Sequence, residues 1–118
     1  MADDPVDLGL LDQLADRDPA ILLDLVETYL EETATLTARL KAALAAGAAG
    51  DAERLAHACA GSSAQLGAVA VVPMFKRLET LARAGTIGDV APVVAELDRE
   101  LCRVEAAFRT HAGLPTRA

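Results

Sequence analysis

Residues 18–46 read DPAILLDLVETYLEETATLTARLKAALAA, and this stretch decides the fold class. Asp18 is a helix-capping residue, and Pro19 falls at the first helical position, where a missing N–H and a fixed φ do no harm. Beyond them Leu22, Leu25, Val26, Tyr29, Leu30, Leu36, Leu40 and Leu44 recur at steps of three and four. That spacing predicts one apolar stripe along a helix running to about Ala46. Such a helix needs partners to bury its stripe, so the remaining chain should supply more of the same kind.

It does so on both sides. Upstream, Asp7 can cap a short helix over about 7–15, whose Leu8, Leu10, Leu11 and Leu14 would pack as a lid on something larger. Downstream, Gly47-Ala48-Ala49-Gly50 interrupts the pattern, and Asp51 is expected to cap a third helix ending near Gly67. A fourth helix is expected from about Ala70 to Ala84, with Pro73 in its first turn, Val71, Phe75, Leu78 and Leu81 or Ala82 facing inward, and Gly85 ending it. After Thr86-Ile87-Gly88-Asp89, a last helix to about His111 carries the stripe Val93, Val94, Leu97, Leu101, Val104 and Phe108. The tail 113–118 is expected to fray. The chain therefore reads as all-α and as a single domain, residues 1–118: an antiparallel up-down-up-down four-helix bundle over about 18–112, with a short N-terminal helix across one end.

Composition agrees. Of 118 residues 53% are apolar, yet the aromatics are only one tyrosine and two phenylalanines, and alanine and leucine favour helix over strand. A net charge of −7 argues against a nucleic-acid surface, which needs clustered Lys and Arg. Cys59 and Cys102 fall inside apolar helical patterns and read as reduced core residues. The start Met1-Ala2-Asp3-Asp4-Pro5 has neither the basic nor the apolar region of an export signal, and no apolar run approaches the roughly 20 residues that span a bilayer. A soluble, cytoplasmic, monomeric protein is expected.

The third helix carries the chemistry. At about 100° per residue, Leu55, Cys59, Ser62 and Leu66 share one quadrant, which would be the core face, and His57 lies nearly opposite. Around His57 stand Ala60, Gly61 and Ala64, small residues where longer side chains would ordinarily cover the surface. A mid-helix glycine costs about 1 kcal/mol relative to alanine, and close approach by another protein is a natural compensation. A lone exposed histidine is nonetheless more often an ordinary surface residue, and His111 reads simply as a group near C-terminal carbonyls. Glu53 and His57 share a face, but two ligands make no metal site.

The run Ala56-His57-Ala58-Cys59-Ala60-Gly61-Ser62-Ser63-Ala64-Gln65-Leu66-Gly67-Ala68 resembles the signature of histidine-containing phosphotransfer (Hpt) domains, a histidine followed by Gly-Ser-Ser and then Leu-Gly-Ala. The likeness extends back to Leu40-Lys41-Ala42-Ala43-Leu44 and Asp51, and forward through residues 78–85, Leu-Glu-Thr-Leu-Ala-Arg-Ala-Gly. It implies a relay module in which His57 accepts a phosphoryl group from a receiver-domain aspartate and passes it to another receiver. The implied partners are response-regulator receiver domains and a hybrid histidine kinase. No cofactor is implied for this chain itself, because Mg²⁺ belongs to the receiver.

The resemblance also places Glu79 on the second ring N–H of His57, although the residues alone equally allow an i,i+4 pair with Arg83. One departure stands out: the family usually has lysine where this chain has Ala60, a charge taken to steady the phosphoryl group. Arg54 and Arg83 are the nearest replacements by sequence. Without that charge, a receiver-binding adaptor that transfers poorly is the alternative. No GxxxxGK[ST] loop or other nucleotide box occurs, so neither ATP binding nor self-phosphorylation is expected.

Overall fold

The computed structural model describes residues 4–116 and is helical throughout, with no strand among the described residues. Helix α1 spans Leu8–Leu14, α2 Pro19–Ala45, α3 Ala49–Leu66, α4 Val72–Arg83 and α5 Ala91–Ala112, with a 3-10 turn at Ile87–Asp89. Two of the expected caps are in place: the Asp7 carboxylate accepts from the Leu10 N–H at 3.1 Å and Asp18 from Ala20 at 2.9 Å. Pro19 opens α2 and Pro73 lies in the first turn of α4.

The third cap is elsewhere. Helix α3 begins at Ala49, two residues before Asp51, and its N-cap Ala48 provides no side-chain bond. Gly47, at φ +72°, closes α2 in the left-handed conformation, and the Ala48 N–H returns to the Ala43 carbonyl at 2.9 Å. Once that turn is complete the following alanines enter the helix at once, and Asp51 sits within the first turn, where its charge favours the helix dipole.

Helix α2 packs on α3 and α5, and α4 packs on α3 and α5, so the four long helices close into a ring. Connections of three residues between α2 and α3 and five between α3 and α4 leave no length to return along a helix, so these neighbours run antiparallel. The interior is filled by Val26, Leu40, Val71, Phe75, Leu78, Leu97, Val104 and Phe108. Tyr29 meets Phe108 edge to face at 5.7 Å. Helix α1 lies against α2 and α3 and buries Leu11 completely. The segment before it is stitched to the α3–α4 connection by Asp7 N–H to Gly67 O at 2.7 Å and Ala70 N–H to Pro5 O at 3.0 Å.

Two expectations need correction, and one is extended. Cys102 is exposed, because it stands about 140° round α5 from Leu97, outside the arc that Val93, Leu97, Val104 and Phe108 bury. His111 lies in the last turn of α5, as expected, and in addition its Nε2 lies 2.6 Å from Asp12 Oδ1 and ties the end of α5 to α1. The tail is held where it begins: the Leu114 N–H bonds to the Arg109 carbonyl at 2.8 Å, and Leu114 packs on the core. The last two residues of that expected frayed tail, and the first three of the N-terminal run, lie outside the described residues.

Candidate functional site

The side of α3 that faces the core differs from the expected one. Ala52, Ala56, Cys59, Ala60 and Ser63 are the buried positions, whereas Leu55, Ser62 and Leu66 are only partly covered. The buried arc is turned by about 70° from the leucine-weighted reading, because α3 buries an alanine flank against α4 as well as a face against the bundle centre. Ala60 is accordingly 5% exposed and belongs to the α3–α4 seam, not to an outer clearing. Gly61 and Ala64 do remain exposed. His57 stands on the shoulder beside α4, not on the opposite side from the core, with its side chain 77% exposed.

The serine that faces inward is Ser63, not the expected Ser62. Ser63 is fully buried and shares a 2.7 Å hydrogen bond with the Tyr29 hydroxyl, tying α3 to α2. Ser62 is the one at the core edge, with a long bond of 3.4 Å to the Cys59 carbonyl one turn back. Burial pushes the Cys59 thiol up to about 11 and raises the Tyr29 hydroxyl, the latter opposed by its bonds to Ser63 and Thr33.

Across the seam, His57 Nδ1 lies 3.0 Å from Glu79 Oε2. A carboxylate only accepts, so Nδ1 carries the hydrogen of this contact, and a neutral ring so held keeps its lone pair on Nε2. The Glu79 side chain is itself mostly buried, at 15% exposed, which makes it a fixed acceptor. The same oxygen accepts from an Arg83 Nη at 2.8 Å, so the two pairings that the residues alone allowed coexist. Arg83 Nε then donates to Glu53 Oε2 on α3, also at 2.8 Å. Glu53 first and Glu79 second hold the guanidinium in its charged form. Arg54, by contrast, turns to Asp51 on its own helix.

The order along the seam is regular. Arg83 faces Glu53, and four residues on along α3 and four back along α4, Glu79 faces His57. The resemblance named Glu79 as the partner of the histidine, and Arg83 was weighed as a nearby cation, but Glu53 only as a metal ligand; its i,i+4 spacing to His57 was the signal that both lie on the flank toward α4. Among the described residues no group of three or more His, Cys, Asp or Glu side chains could hold a metal ion. None of the helices there is long and apolar enough to cross a membrane.

An exposed imidazole oriented by a fixed carboxylate can act as a nucleophile toward a group presented at the surface. Comparison with known proteins agrees. The chain superposes on the crystal structure of histidine-containing phosphotransfer protein B from Pseudomonas aeruginosa PAO1 with a TM-score of 0.87 and 26% identity, covering 95% of this chain and 97% of that one. A search of curated proteins finds no match. A model of the Hpt domain matches residues 24–107, from α2 into α5 and across the whole His57 site, and on that evidence the chain belongs to the Hpt domain family, the histidine-containing phosphotransfer modules.

Proposed function

We propose that the chain is a relay intermediate between receiver domains, with His57 Nε2 as the phospho-acceptor. In the forward step the Nε2 lone pair attacks phosphorus in line, the P–O bond to the receiver aspartate breaks, and the aspartate leaves as carboxylate. The imidazole becomes cationic as the N–P bond forms, and its Nδ1 proton stays in place, shared with Glu79. The reverse step hands the group to the next receiver. Mg²⁺ and in-line geometry come with the partner, so this chain contributes orientation and a stabilising charge. Gly61 and Ala64 form the docking surface beside the histidine, Arg83 holds Glu79 in position, and Arg54 adds positive charge at its edge. The module works as a monomer, fed by a hybrid kinase.

The observation that carries this reading is the 3.0 Å contact of Nδ1 with Glu79, which leaves the outward nitrogen free to react. Incubation with phosphorylated receiver domains and Mg²⁺ should give an acid-labile, alkali-stable phosphoprotein that His57→Gln abolishes. Glu79→Ala should keep the label but slow its formation about 10–100-fold, the usual effect of losing an orienting partner. If the receivers of the same cell bind and leave no label, the chain is an adaptor, the reading that the buried Ala60 in place of lysine favours. Absence of both binding and label would refute both.

A further inference from the structure

We propose that Lys76 on α4 is a phosphoryl-binding residue of this site, supplying from across the seam the positive charge that a phosphorylated His57 requires. The inference rests on the reading of His57 as acceptor. A phosphoryl group brings up to about two negative charges and three acceptor oxygens, and here they would arrive beside Glu79 and Glu53. Both arginines named by sequence are already engaged: Arg83 by those two glutamates, Arg54 by Asp51. Either could respond only by giving up a carboxylate.

The helix register points to a third cation. Since Arg83 faces Glu53 and Glu79 faces His57, three further residues along α3 lead to Ala60, and three back along α4 lead to Lys76. Lys76 and Arg83 lie seven residues apart on one helix, within about 20° of the same direction. Arg83 reaches α3 one turn to one side of the His57–Glu79 pair, and Lys76 leaves α4 one turn to the other. Lys76 is exposed, and among the described residues its ammonium has no ion-pair or hydrogen-bond partner. Opposite it, Ala60 presents a single methyl group, so no long side chain of α3 fills the space between. The four-carbon stem can follow the seam while the ammonium swings toward Nε2, a motion that breaks no ion pair or hydrogen bond among the described residues.

The test needs no cognate partner. Potassium phosphoramidate transfers its phosphoryl group to imidazole: the donor P–N bond breaks, ammonia leaves, and the new N–P bond forms at His57. Phosphorus NMR then follows the protonation of the phosphoryl group with pH. In Lys76→Met the midpoint should move upward by about half a unit, the size of one surface charge pair, because the dianion has lost its counter-charge. The displacement should shrink in 1 M salt. Lys76→Arg should behave as wild type. So should Arg77→Met, which removes the same charge about 160° round the helix from Glu79. A midpoint in Lys76→Met equal to that of wild type, or an equal shift in Arg77→Met, overturns the assignment of Lys76 alone. A wild-type chain that takes no label on His57, read against His57→Gln, overturns the acceptor reading and this inference with it.

Discussion

Replacing Gly61 should separate what the folded chain needs from what its partner needs. Gly61 lies in mid-helix with an ordinary helical φ, and a Cβ built on it would meet nothing within 4 Å. No internal contact therefore offsets the entropic penalty of glycine, and Gly61→Ala should stabilise the protein by about 1 kcal/mol. For a chain of this length that raises Tm by roughly 3–5 °C. Gly61→Gln has the same room and slightly lower helix propensity, so it should gain about 0.5 kcal/mol. On the docking face the two substitutions diverge. A methyl group is tolerated in part, but a glutamine side chain standing off a flat surface one turn from His57 should weaken receiver binding about 10–100-fold, equivalent to about 1–3 kcal/mol of overpacking. Thermal unfolding and titration calorimetry with a receiver domain, run on the same samples, decide the matter. Destabilisation by Gly61→Ala would mean that the glycine serves the fold itself, and wild-type affinity in Gly61→Gln would remove this face from the docking surface.

Gly67 makes the opposite case: at φ +85° and with a Cβ that would lie 2.8 Å from the Asp7 carbonyl oxygen, Gly67→Ala should cost about 2–4 kcal/mol and lower Tm by roughly 10 °C, whereas Gly47→Ala, left-handed but open, should cost only about 1. Thiol alkylation at pH 8 should modify Cys102 alone, read by mass spectrometry, because Cys59 is buried and its thiol is pushed up to about 11. Since Cys59 and Tyr29 both hold their protons more tightly when folded, the unfolded chain ionises first, and the denaturation midpoint should fall as pH rises from about 9 toward 11.

The long helices were legible because their stripes are drawn in leucine, valine and phenylalanine, whose burial dominates the energetics of α2 and α5. Two of the caps were legible for a local reason, since Asp7 and Asp18 act within three residues of themselves. Helix α3 was harder to read. Its inward positions are mostly alanines, which favour a helix equally well in water or in a core, so the pattern gave weight to Leu55 and Leu66 at the margins. That turned the helix by about 70° and placed Ala60 outside and Ser62 inside. The contact between His57 and Glu79 spans 22 residues, and no periodicity within either helix announces it; it was legible only through the resemblance. Lys76 escaped notice because its relevance depends on the register between two helices, which exists only once they pack.

The small residues of α3 serve two ends. Gly61 and Ala64 leave the outer surface low, as the proposed docking face requires, but Ala56 and Ala60 work inside the seam, where their volume sets how near α4 can come. Close packing there lets Glu79, a residue of the opposite helix, hold its carboxylate 3.0 Å from His57 while staying only 15% exposed. A leucine at position 60 would push α4 outward, lengthen that contact and free the imidazole to turn. A lysine there would have to thread its stem through the same seam. On this view alanine at position 60 and lysine at position 76 form one arrangement: the residue that keeps the helices close gives up the charge, and the residue facing it in register carries that charge instead.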